Sequence, residues 1–186
     1  MPATPPETSV VEHELRVAAR PETVFTYFTD PAKMVQWFGA EATLDPRPGG
    51  ICRVAFQHSE RLKARVDALG AELLGEHEQT SRPLELAATG VMSGRYLEVE
   101  PYRRIEFTWG WEQELLAVPP QSTTVEVSFT PDGDSTTVRV AHRRLPAASV
   151  EFHRAGWQHF LARLAIAAAG GDPGADPWQA TAGQRG

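Results

Sequence analysis

One cysteine, Cys52, stands in the 186 residues, so no internal disulfide can form. That usage fits a reducing compartment, and the cytoplasm is the expected location. Long apolar runs are missing too. The longest, around Leu161–Ala169, is alanine-rich and broken by Arg163, well short of the ~20 residues of a membrane span. The opening "MPATPPETSV" has neither a basic start nor an apolar stretch, so it does not read as a signal peptide. Positive charge is in deficit: 18 Lys and Arg face 24 Asp and Glu, a formal net charge of −6. This argues against a nucleic-acid partner, which calls for a basic face. Arg103-Arg104 and Arg143-Arg144 read as solvated strand ends.

The motifs of several chemistries are absent as well. There is no His-x-x-x-His and no Cys-x-x-Cys. His58, His77, His153 and His159 fall in different elements or on different helix faces, so no metal is expected. "PGG" at 48–50 is a turn signal and not a phosphate loop, and no Gly-x-Ser-x-Gly occurs. No cofactor is expected.

What is present is periodicity. "SVVEHELRVAA" alternates, with Val11, His13, Leu15 and Val17 on one face of a strand. "VFTYFTDPAKMVQWFG" then packs two short helices into 24–39. Pro21 opens the first and Val24, Phe25 and Phe28 form its apolar stripe. Asp30 caps the second ahead of Pro31, and Gly39 stops it. Strands follow at "AEATLD", "ICRVAF", "GRYLEVEP" and "RRIEFTWGWEQE"; in the last, Ile105, Phe107, Trp109 and Trp111 share a face. "TTVEVSFTPDGDSTTVRVAHRRL" reads as a hairpin turning at "PDGD", with Val125, Val127 and Phe129 leading in and Val138, Val140 and His142 leading out. A long helix over about 148–169 carries Phe152, Trp157, Phe160, Leu161, Leu164 and Ala168 at helical spacing. Gly156 in its middle costs roughly 1 kcal/mol against alanine, which a close approach of helix to sheet would explain. "SERLKARVDALGAELLGEH" (59–77) reads as an amphipathic helix interrupting the strands, with Leu62, Val66, Leu69, Leu73 and Leu74 on one face.

The order predicts an α+β protein in two layers, a curved antiparallel sheet gripping a long C-terminal helix, with two short helices between its first two strands. Residues 1–8 form a flexible N-terminus, 9–169 a single domain with a helical insertion at about 57–88, and 170–186 a flexible tail. Trp178 in that tail is expected to make a weak docking contact.

The succession "RPETVFTYFTDPAKMVQWFG", "PGGICRVAF", "GRYLEVEPYRRIEFTWGW" and "GWQHFLARL" resembles the START-like, or SRPBCC, helix-grip superfamily. Within it the chain is most similar to the group named after the activator of Hsp90 ATPase. The resemblance covers about 9–169; the insertion near 57–88 departs from it. It implies the helix-grip fold. It implies no shared catalytic set: wider relatives bind lipids, hormones or polyketides, and some cyclise or dehydrate them. The group's members are mostly bacterial. The co-chaperone that names the group carries an additional N-terminal domain without a counterpart here, which weighs against a chaperone-associated module.

Phe28, Trp37, Phe38, Trp109, Trp111, Phe129 and Trp157 make up the expected interior aromatic set. Singly each reads as core; together, in a sheet that grips a helix, they line a concave apolar cleft for a ligand. His13 and His142 fall on strand faces that are otherwise apolar. Each either bonds to a neighbouring carbonyl or water, or serves as a pocket acid/base. Cys52, sharing a face with Val54 and Phe56, reads as a small apolar residue, with no adjacent base to make it a nucleophile. Arg95 alternates with Leu97 and Val99 and either points inward to a ligand oxygen or swings into solvent. The inserted helix serves as a lid over the pocket mouth, as a homodimer contact, or as cover for the sheet, with the lid preferred.

The leading expectation is thus a protein that binds a hydrophobic or aromatic small molecule through Phe28, Trp37, Phe38, Cys52, Arg95, Trp109, Trp111, Phe129, His142 and Trp157. The alternatives are a cyclase- or dehydratase-type enzyme using His13 or His142, and a chaperone-associated module.

Overall fold

A computed structural model describes residues 8–74, 89–113 and 118–179. Seven strands among these residues form one antiparallel sheet: β1 (Thr8–Val17), β2 (Glu41–Leu44), β3 (Ile51–Gln57), β4 (Thr89–Glu100), β5 (Arg104–Trp109), β6 (Thr123–Asp132) and β7 (Ser135–Pro146). Their order is β1-β7-β6-β5-β4-β3-β2. Helices α1 (Pro21–Thr29) and α2 (Pro31–Met34) join β1 to β2, α3 (Glu60–Leu74) follows β3, and α4 (Val150–Ala168) crosses the concave face. This is the expected helix-grip arrangement.

Local chemistry explains the break between α1 and α2. Pro21 occupies the first helical position of α1, where its missing N–H costs nothing. Asp30 lies in extended backbone, as a residue before proline prefers, and its carboxylate accepts from Ala32 N at 2.8 Å. The chain then turns tightly, with Trp37 N and Phe38 N both donating to Met34 O. Gly39 (φ +77°) closes the turn, and a Cβ there would lie 2.3 Å from Val54 Cγ1.

A bulge in β4 decides which side chains reach the interior. Its register against β5 shifts between Tyr96 and Glu98, which reverses the alternation beyond it. Tyr96 is therefore buried and bonds to Phe28 O at 3.1 Å, whereas Arg95 is exposed and donates to Gly49 O. The inward option for Arg95 is thereby corrected. Alternation with Leu97 and Val99 is not a guide across a bulge, and Leu97 is itself 48% exposed.

The described part of the tail, 171–179, departs from the loose segment expected there. Residues 171–179 run back across the body as a strap. Asp176 receives His159 Nε2 at 2.8 Å, and Arg163 donates to the carbonyls of Pro173 and Gly174. Ser59 N donates to Trp178 O, Ser59 Oγ to Pro177 O, and Gln57 N to Gln179 Oε1. Trp178 stacks on His159 with ring centroids 4.1 Å apart and planes 6° from parallel. Proline, glycine and aspartate deny the segment regular structure, but side chains of α4 satisfy its carbonyls. The flexible N-terminus expected over 1–8 lies largely outside the described residues, as do the tail beyond 179 and the insertion from 75 to 88.

Candidate functional site

A narrow cavity lies between the sheet and α4. Phe38, from the turn after α2, forms one wall, packed on Phe56, Trp157 and Phe160 at 5.0, 5.8 and 4.9 Å between ring centroids. Trp109 ends β5, Trp111 follows it in an isolated bridge to Met92, and Phe152, His153, Gly156 and Trp157 come from α4. Leu62 of α3, His58, and Trp178 with Gln179 of the strap close it. The space is about 30 Å³, enough for about one or two waters. A second cavity of about 120 Å³ lies between α3 and α4, with Arg65 and Glu151 at its edge. Leu62, Phe152 and Trp178 line both cavities and so form the partition between them.

Gly156 faces open space: a Cβ built there meets nothing within 4 Å. The close helix-to-sheet approach expected from sequence is therefore absent. The glycine instead leaves room in the cavity, at a helix position where any side chain would occupy it.

Four expected ligand-binding residues, Phe38, Trp109, Trp111 and Trp157, come together here. Phe129, Phe28 and Trp37 form a ladder of ring contacts that ends on Phe38. They belong to the core beside the cavity and do not line it. Trp37 is 2% exposed and its indole donates to Tyr27 O at 3.0 Å. Cys52 is likewise buried away from the cavity. Burial, opposed only by a hydrogen bond with Tyr96, pushes its thiol up to about 12, so it stays protonated and inert. Burial also raises Tyr96 above the usual phenol value.

The two histidines singled out from sequence hold structure together. His13 sits at the edge of the core, its Nε2–H donating to Arg154 O of α4 at 3.1 Å. His142 is fully buried. The Trp157 indole donates to its Nδ1 at 3.1 Å, so the proton resides on Nε2, which donates to Thr123 Oγ1 at 2.8 Å. That hydroxyl in turn donates to Trp109 O at 3.0 Å. Both ring nitrogens of His142 are thus committed, and burial first, then neighbouring His153, holds the ring well below the usual imidazole value.

His153 is the imidazole that sequence reading passed over as a ligand contact. Its Nδ1–H donates to Ser149 O at 2.8 Å, and its Nε2 accepts from the Trp111 indole over a long 3.4 Å. Burial lowers it to about 4, so it is neutral at pH 7 and offers an acceptor, not a proton. His58, Phe160, Trp178 and Gln179 were also missed. For His153 a signal existed: it shares the buried stripe of α4 with Trp157, Phe160 and Leu164 at helical spacing. Among the described residues no group of three His, Cys, Asp or Glu side chains gathers as metal ligands, and no helix is long and apolar enough to cross a membrane.

A sheet curved around a C-terminal helix, with an aromatic cavity between them, defines a START-like helix-grip protein. The family described as "Activator of Hsp90 ATPase homolog 1-like protein" matches residues 18–70 and 81–169, and the chain belongs to it. Among solved structures, an AHSA1-like protein of Rhizobium etli is 33% identical, with 97% of this chain and 94% of that one covered and a TM-score of 0.60. DynU16, from the dynemicin biosynthetic locus, shares the fold at 24% identity and TM-score 0.61. The match covers 88% of this chain, which spans about half (49%) of DynU16. CalU16 of Micromonospora echinospora shares it at 20% identity and TM-score 0.55, over 89% and 87% of the two chains. No curated protein matches.

Proposed function

We propose that this protein binds an apolar, aromatic small molecule in the cavity between sheet and α4, admitted by displacement of the partition Leu62, Phe152 and Trp178. The observation that carries this reading is Gly156. A helix interior disfavours glycine by about 1 kcal/mol, yet here it leaves a gap walled by Phe38, Trp109 and Trp157. Such apolar clefts with few polar groups are where small molecules bind. Once the partition moves, the two cavities become one chamber reaching the surface between α3 and α4. In this reading α3 is the lid: Leu62 and Val66 are 4% and 2% exposed and both line the chamber.

Native mass spectrometry of freshly purified protein tests it, beside a Gly156→Leu variant. A co-purifying apolar molecule on the native chain, absent from a folded Gly156→Leu chain, is the expected result. Equal occupancy of both would place the ligand elsewhere, and no thermal shift across a panel of aromatic compounds would dismiss the reading.

A further inference from the structure

Four tryptophans are buried, and three of them place their indole N–H on an acceptor: Trp37 on Tyr27 O, Trp111 on His153 and Trp157 on His142. Trp109 is 4% exposed and lines the cavity, and its buried indole N–H has no acceptor among the described residues. The amide nitrogen of Gln179, in the same wall, has none either; its oxygen is held by Gln57 N, which settles how the amide is turned. An unpaired buried donor is destabilising unless something meets it. Two residues that line one aromatic cavity thus each hold a buried donor that an acceptor oxygen would satisfy.

We propose that the ligand is a neutral aromatic carbonyl compound, an aryl ketone or quinone, whose oxygen accepts from Trp109 Nε1–H, with Gln179 Nε2 as the second donor; this rests on the cavity reading above. A carboxylate fits poorly. Arg65 borders only the outer chamber and, among the described residues, no Lys or Arg lines the inner one, so the charge would be buried unpaired.

The test titrates full-length, nitrogen-15-labelled protein with 1-indanone and with indane, its hydrocarbon counterpart. The five tryptophans give separate indole signals, and that of Trp109 is the one a Trp109→Phe variant lacks. The ketone is expected to bind about tenfold tighter, to move the Trp109 signal downfield, and to lose its advantage in Trp109→Phe while indane still binds. Ketone and hydrocarbon binding equally well, or a preference that survives Trp109→Phe, would overturn the carbonyl assignment and leave the cavity reading standing. If neither compound binds, the cavity reading fails and takes this one with it. Should Trp109→Phe not fold, the ketone-to-indane ratio in the native chain decides.

Discussion

The indole of Trp157 donates to Nδ1 of His142 at 3.1 Å, tying α4 to β7 through a bond that dictates the imidazole tautomer. Everything beyond it follows in sequence: His142 Nε2–H to Thr123, and Thr123 to the carbonyl of Trp109. The relay runs beside the cavity and holds two of its aromatic walls. Thr123→Val keeps the shape and removes the hydroxyl, leaving a buried imidazole N–H without an acceptor. A loss of about 1–3 kcal/mol is expected, measured by urea unfolding with unchanged slope. No loss would mean that the relay contributes nothing.

Acid should weaken the fold before the carboxylates titrate. His142 and His153, 5.1 Å apart between ring centroids, are both held below the ordinary imidazole value, chiefly by burial. The unfolded chain therefore takes up these protons first, and stability rises with pH where it does. The contribution of His153 is complete above its unfolded value of 6.5 and is lost as pH falls toward about 4; by linkage it amounts to about 3 kcal/mol. Glu126, held below the usual carboxylate range mainly by its bond from Arg104, adds its loss at still lower pH. Unfolding free energies measured across that window should slope steeply in the native chain and less in His153→Gln. Equal slopes would remove His153 from the account.

Gly156 separates stability from binding. Gly156→Ala is expected to stabilise by about 1 kcal/mol through helix propensity, since the added methyl meets nothing within 4 Å. Gly156→Leu should fold and lose affinity for any aromatic probe. Calorimetric unfolding reads the first effect and probe titration the second. A destabilised Gly156→Ala would contradict the open space seen here.

The strap should open on its own. Asp176, with a side chain 9% exposed, holds His159 and stands near Arg163. Asp176→Ala is expected to raise amide exchange over residues 171–179 and to speed probe entry, leaving the sheet amides protected. Unchanged exchange in the strap would show that stacking of Trp178 on His159 suffices to hold it.

Cys52, 1% exposed with its thiol pushed up to about 12, should resist a thiol reagent in the folded protein and react at once in denaturant. Rapid reaction under native conditions would point to an opening of the β3 region.

The elements were legible wherever burial is regular. Ile105, Phe107 and Trp109 alternate because one face of β5 is core, and Trp157, Phe160 and Leu164 recur because one stripe of α4 is. Asp30-Pro31 marked the helix break, since each boundary there is set by residues in contact along the chain. Arg95 failed this reading because a bulge two residues on resets the alternation, and a bulge leaves no mark in a hydrophobic pattern. His142 and His13 stood out as polar residues on apolar faces, yet their partners Trp157, Thr123 and Arg154 lie in other elements.

Sequence alone determined the order of strands and helices and an aromatic interior, because these depend on periodicities of two and 3.6 residues and on local caps; the family showed in the succession of its motifs. Tertiary structure alone decided which aromatics line a space and which fill the core. It also converted Gly156 from a packing cost into an opening, left the Trp109 indole without an acceptor among the described residues, and brought Trp178 and Gln179 over the cavity. Those outcomes depend on side chains far apart in the chain meeting in three dimensions, where packing and hydrogen-bond satisfaction, not spacing, choose the partner.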